Sequence, residues 1–208
     1  MNNKRVVILD YGCGNVRSVF NAFRAFDSDV KITNAFNEIR DASHIVLPGV
    51  GAFAECKTGL DNFNLVELLQ KEVIEKGKPF LGICVGMQAL ATLGKEFGEH
   101  QGLDWITGVV DKIDTAESKL RLPHIGWNEL SIIKSNPLFE GIEPGTTFYF
   151  VHSFQFRPKD DSVISSFCDY GVQVTASVQR DNIFGVQCHP EKSQSAGIRL
   201  LKNFTRIN

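Results

Sequence analysis

The chain has 208 residues, 43% hydrophobic and 22% charged, which is enough for an ordinary globular core without disulfide or metal staples. A net charge of −2 excludes the basic excess that marks nucleic-acid or anionic-membrane binders. The five cysteines (Cys13, Cys56, Cys84, Cys168 and Cys188) are odd in number and form no C-x-x-C pair, and the apolar run Val6 to Leu9 is too short for a signal peptide or a membrane span, so reduced thiols in the cytoplasm are the expectation.

Val6 to Leu9 predicts a strand that ends in the turn Asp10-Tyr11-Gly12. Asn15 can cap the helix that follows, whose Val16, Val19, Phe20 and Phe23 recur on one face. Strands follow at Val30 to Thr33 and His44 to Leu47, and Pro48-Gly49-Val50-Gly51 breaks the pattern. Leu65, Leu68, Leu69 and Val73 mark an amphipathic helix closed by Gly77. Pro79 to Ile83 reads as a short buried strand, and Val85 to Leu93 as a helix punctuated by Gly94. This alternation predicts an α/β fold with a mostly parallel central sheet flanked by helices.

Beyond about residue 105 the strand candidates crowd together. They are Gly108 to Ile113, Asn128 to Ile133, Thr147 to Val151, Ser162 to Phe167, Gln173 to Val178 and Ile183 to Gln187. With few helices between them, extra antiparallel strands are expected. Gly197, Leu200, Leu201 and Phe204 give a C-terminal helix. No linker, repeat or low-complexity tract interrupts the chain, so residues 1–208 read as one domain, its second half an extension of one sheet.

Gly82-Ile83-Cys84-Val85-Gly86 lies between a strand and a helix, in the G-x-nucleophile-x-G pattern of a nucleophile elbow. The tight turn forces its central residue into a strained backbone, and the flanking glycines supply space. A thiol at a helix N-terminus is easier to ionise, and an oxyanion there is better stabilised. The plainer alternative is an ordinary buried thiol after a strand. Ile183 to Glu191 is a strand running into a polar turn, which puts His189 at the sheet edge where α/β folds hold ligands. Glu191 is close enough to turn back onto its imidazole, as a base-orienting carboxylate does. A surface histidine beside a solvated glutamate is the plainer reading of that pair. A metal site is disfavoured, because adjacent Cys188 and His189 would point to opposite faces of a strand.

Residues 79–88 (PFLGICVGMQ) and 185–193 (GVQCHPEKS) resemble the two signatures of class I glutamine amidotransferases, a flavodoxin-like fold. Four further segments, 10–15 (DYGCGN, with Ser18), 47–53 (LPGVGAF), 123–128 (PHIGWN) and 149–154 (YFVHSF), narrow the resemblance to glutaminase subunits of imidazole glycerol phosphate synthase in histidine biosynthesis. The match runs nearly end to end. Val85 stands where the family usually has Leu, Cys188 where it usually has Phe, and Phe154 where it often has Tyr. The first two keep an apolar side chain and leave the triad intact.

The resemblance implies a triad of Cys84, His189 and Glu191 that hydrolyses glutamine through a glutamyl thioester. It implies oxyanion donors from the backbone of Val85 and of the Pro48 to Gly51 segment, where Val50 and Gly51 stand, and glutamine contacts at Gln88, Ser153 and Phe154. His152 is assigned a structural or interface role, since His189 already has Glu191. No cofactor or metal is implied. The implied partner is a (β/α)8-barrel cyclase subunit in a heterodimer, with Pro123 to Asn128 beside it and Asp10 to Asn15 able to line the same contact. Rival readings are a related subunit serving a cyclase-like partner in bacterial surface-sugar synthesis, a stand-alone cysteine hydrolase, and a flavodoxin-like module with an idle triad. Gln88 and the Pro48 to Gly51 strand favour a glutaminase serving a synthase partner over the hydrolase, and the intact triad opposes the idle module.

Overall fold

A computed structural model describes residues 4–26 and 29–208; residues 1–3 of the N-terminal reading lie outside the described residues. The first half runs β1 (Val6–Leu9), α1 (Val16–Arg24), β2 (Val30–Thr33), α2 (Phe36–Asp41), β3 (His44–Gly49), α3 (Phe53–Asn62), α4 (Leu65–Leu69), a π-helical segment Gln70–Glu75, and β4 (Phe80–Cys84). One turn of helix, α5 (Val85–Gln88), leads to short strands β5 (Leu93–Gly94) and β6 (His100–Gln101). There follow β7 (Gly108–Lys112), β8 (His124–Glu129), β9 (Ser131–Ile132), β10 (Thr147–His152), β11 (Phe154–Pro158), β12 (Ile164–Asp169), β13 (Gln173–Arg180), β14 (Ile183–Val186) and α6 (Gln194–Phe204).

The main sheet has eight strands in the order β2-β1-β3-β4-β14-β13-β12-β9. β2, β1, β3, β4 and β14 pair in parallel, and β13, β12 and β9 continue the sheet antiparallel. All residues of β1, β3, β4 and β14 are buried, as expected for strands covered on both faces. Each such Val, Ile or Leu side chain contributes about 1.5–3 kcal/mol relative to exposure. Asn182 Nδ2 donates to Val73 O and Lys78 O, both at 2.8 Å, and so ties the turn before β14 to the approach of β4. That tie sets the two site-bearing strands side by side. One apolar cluster extends from Val6 to Phe204.

Several expectations are corrected. The second half is more than an extension of one sheet: β8 and β10 form a separate two-stranded sheet, and β11, β7, β5 and β6 a four-stranded one. The strand expected over Asn128 to Ile133 is divided at the buried Leu130, with β8 pairing β10 and β9 pairing β12. The 123–128 segment is mostly strand, drawn into extended form by β10, a partner some twenty residues away that local pattern cannot reveal. The helix expected over Val85 to Leu93 stops at Gln88. The carbonyls that would continue it are taken by a distant segment: Ala89 O by Leu103 N at 2.8 Å, Leu90 O by Trp105 N at 3.0 Å, and Ala91 O by Asp104 N at 3.1 Å. Gly94 is a strand residue against the Phe53 ring, not a helix terminator.

Other expectations hold. The Asn15 side chain caps α1 through Ser18 N, and Gly77 (φ +70°) follows the Leu65 to Val73 helix, which is α-helical to Leu69 and π-helical thereafter. Among the described residues no helix is long and apolar enough to cross a membrane.

Candidate active site

Cys84 ends β4 with φ 54° and ψ −111°, a strained conformation for a residue with a Cβ. The glycines around it serve close approach. A Cβ on Gly86 would meet Leu47 O at 1.9 Å, and one on Gly82 would meet Gly86 O at 2.4 Å. Gly49, opposite Cys84 in the β3–β4 register, has Val85 Cβ 2.8 Å from where its own Cβ would be. Three backbones thus converge, and the strain is concentrated on Cys84. Because α5 is a single turn, the useful positive end here is the local N–H group of Val85, which has no intrahelical acceptor, more than a long helix dipole.

Beside this elbow is a cavity of about 170 Å³ lined by Val50, Gly51, Cys84, Val85, Gln88, Ser153, Phe154 and His189, and also by Glu96, Val151 and His152. Of the residues singled out in the sequence, Glu191 alone is behind the wall. Its Oε1 accepts from His189 Nδ1 at 2.8 Å, and both side chains are almost wholly buried. Adjacent β4 and β14 bring Cys84 and His189 together from 105 residues apart, and the turn Pro190–Lys192 folds Glu191 back. His189 Nε2 is buried and has no hydrogen-bond partner. Burial pushes the imidazole pKa down, but the neighbouring Cys84 sulfur and the Glu191 carboxylate outweigh it and raise it to about 9.

The raised value has a stability consequence. The charge pairing of His189 is fully present below its ordinary pKa of 6.5 and is lost as pH rises through about 9. Denaturation midpoints of the unmodified chain and of Glu191→Gln are therefore expected to differ most near pH 6 and to converge toward pH 10. A constant difference across that window would contradict the ion pair.

Gln88 is 3% exposed and faces inward. Its Nε2 donates to Phe154 O at 3.1 Å and to Gln187 Oε1 at 3.0 Å. Gln187 Nε2 in turn donates to the Cys84 sulfur at 3.6 Å. Gly51 has φ +96°, open to a glycine and costly to a side chain. Sequence reasoning missed Gln187 and Glu96. Two-residue alternation with His189 was a usable signal for Gln187. Glu96, whose Oε2 accepts from Phe53 N at 2.9 Å, lies in a turn with no local signal. Among the described residues no cluster of His, Cys, Asp or Glu is arranged to hold a metal ion.

A cysteine on an elbow above a parallel sheet, facing a histidine and a carboxylate from the end of a neighbouring strand, is the layout of cysteine amidohydrolases built on this fold class. The model of the family "Glutamine amidotransferase class-I" matches residues 7–207. Imidazole glycerol phosphate synthase subunit HisH of Pelagibacter ubique is 46% identical over 206 residues, covering 97% of this chain and 99% of its own. HisH of Zymomonas mobilis is 47% identical over 208 residues, covering 98% and 96%. Among solved structures, a chain in the structure of PurLQS from Thermotoga maritima superposes with a TM-score of 0.75 at 18% identity, covering 98% of each chain, and supports the fold alone. The chain belongs to the class I glutamine amidotransferases and, within them, to the HisH subunit family.

Proposed function

We propose that this chain is the glutaminase subunit of an imidazole glycerol phosphate synthase, hydrolysing glutamine at Cys84 and delivering ammonia to a cyclase subunit for histidine biosynthesis. The observation that carries the reading is the buried His189–Glu191 pair, 2.8 Å apart, behind a cavity that holds Cys84 and the inward-facing Gln88. The Cys84 thiolate adds to the side-chain carboxamide carbon of glutamine. The C–N bond breaks as His189 gives its proton to the leaving amine, which departs as ammonia. Water, deprotonated by His189, then adds to the thioester; the C–S bond breaks and glutamate is released. Glu191 holds the imidazole with Nδ1–H toward the carboxylate and Nε2 toward the reacting atoms.

The backbone N–H groups of Val85 and of Val50–Gly51 are assigned to the oxyanion, and Gln88, Ser153 and Phe154 to the rest of glutamine. Glu96 is the carboxylate on the cavity wall and suits the α-ammonium group. We assign residues 1–208 to one cytoplasmic domain, in keeping with the apolar cluster that spans both halves.

The proposed partner is a (β/α)8-barrel cyclase in a heterodimer. Exposed Ile125 (59%) and Trp127 (48%) on β8 offer an apolar surface for it. Free ammonia is largely protonated near neutral pH and then is not a nucleophile, so a sheltered route to the partner has a chemical purpose. Glutamate release should be measured for the chain alone, with the cyclase subunit, and with the cyclase and its ligand. The assembled, ligand-bound enzyme is expected to exceed the isolated chain by about tenfold or more, the scale of an ordinary coupling free energy. No release in any arm would sink the glutaminase assignment. Full activity of the chain alone, unchanged by the partner, would sink the dependence.

A further inference from the structure

His124 on β8 and His152 on β10 face each other across the two-stranded sheet. Neither has a part in the chemistry above, yet both are buried, at 3% and 7% exposure. His124 Nδ1 and His152 Nε2 are 3.1 Å apart. His152 Nδ1 lies 2.8 Å from Phe154 O, and His124 Nε2 lies 3.2 Å from Asn128 Nδ2.

The protons in this chain are determined from both ends. Phe154 O can only accept, so His152 Nδ1 carries the hydrogen and the Nε2 of the neutral ring is an acceptor. His124 Nδ1 must then donate to it. At the other end, Asn128 Nδ2 donates to Asp169 O at 2.6 Å, and Asn128 Oδ1 accepts from Glu129 N at 2.8 Å, which settles the orientation of that amide. Its second N–H therefore points at His124 Nε2, which must accept. The two ends fit one arrangement: both rings are neutral, and both carry the proton on Nδ1. Adding a proton to either ring would set two N–H groups against each other. Burial of both rings works in the same direction, lowering each pKa to about 4.

The chain ends at the glutamine pocket. Phe154 O accepts from both His152 Nδ1 and Gln88 Nε2, so both of its lone pairs are used. Gln88 continues to Gln187, and Gln187 to the Cys84 sulfur. On the opposite face of β8, alternation puts the exposed Ile125 and Trp127.

We propose that His124 and His152 are positioning residues: a neutral, one-directional hydrogen-bond relay that runs from β8 to the Phe154 carbonyl and holds Gln88 in its glutamine-binding orientation. The inference rests on the glutaminase reading for its substrate. It gives His152, a cavity-wall histidine easily taken for a second base, a role in which it cannot take up a proton.

Two measurements test it. In the full-length chain assembled with its cyclase subunit, His124→Phe keeps a ring between Phe150 (5.1 Å) and Tyr170 (4.1 Å) but removes both nitrogens. Its KM for glutamine is expected to rise about tenfold, the scale of one lost buried hydrogen bond, with kcat changed much less. His152→Asn, which can still donate to Phe154 O, should raise KM less than His152→Leu. An unchanged KM in His124→Phe, beside an active wild type, overturns the relay. An inactive wild type overturns the glutaminase reading instead. If the variants do not fold, ring ¹⁵N spectra of the wild-type chain at neutral pH decide the matter: Nδ1–H on both rings supports the relay, and Nε2–H or a charged ring on either one overturns it.

Discussion

Cys84→Ala is expected to leave the fold intact and reduce glutamine hydrolysis by about 10⁴-fold or more, the scale on which a covalent nucleophile is lost from a triad enzyme. The replaced atom is one sulfur at the end of a buried strand, on the wall of the cavity beside the elbow. Alanine even keeps the Cβ that makes φ 54° costly, so the elbow's strain is unchanged and the loss reports chemistry. The control lies in the other thiols. Burial pushes those of Cys56 and Cys168 up to about 12, which leaves them protonated and poorly nucleophilic at neutral pH. An alkylating reagent is therefore expected to inactivate in step with modification of Cys84, and these two should contribute nothing. Substantial hydrolysis by Cys84→Ala, or inactivation that tracks another cysteine, would remove Cys84 from the mechanism.

His189→Asn and Glu191→Gln are expected to fall in a fixed order. On the proposed mechanism His189→Asn deletes the group that protonates the leaving amine and deprotonates water, and should cost nearly as much as Cys84→Ala, because the members of a triad act as one unit. Glu191→Gln keeps a hydrogen-bonding side chain beside His189 Nδ1 but removes the charge that stabilises the imidazolium, so the loss should be smaller, about 10²- to 10⁴-fold in kcat. Both side chains are buried, at 2% and 1% exposure, so bulk water cannot replace the missing charge. The assay belongs in the enzyme assembled with its proposed partner. If Glu191→Gln were kinetically silent there, its carboxylate would be a packing feature and His189 would need another orienter. The reverse order of severity would point to Glu191 as the proton carrier.

Much of the site is legible in the sequence. The Gly82 to Gly86 pattern is local: an elbow needs small residues within two positions of the nucleophile, and the physical reason is the 1.9 Å approach of a Gly86 Cβ to Leu47 O. His189 followed by proline and Glu191 is equally local, since two residues of turn bring the carboxylate back to the ring. The parallel half of the sheet is legible for the same reason, its buried strands being continuous apolar runs bounded by turns.

The sequence by itself determined the elements of the candidate site: which thiol stands on an elbow, which histidine has a carboxylate at its back, and a parallel α/β sheet to carry them. Tertiary structure alone decided what depends on partners remote in the chain. The helix after Cys84 ends at Gln88 because the 103–106 segment takes its next carbonyls. The PHIGWN segment is a strand because β10 pairs with it. Gln88 turns inward because Phe154 and Gln187, 66 and 99 residues away, accept its amide. His124 and His152, 28 residues apart, become one relay only when β8 and β10 set them face to face. In each case a polar group removed from water must find its hydrogen-bond partner, and that partner is supplied by the folded chain, not by its neighbours in sequence.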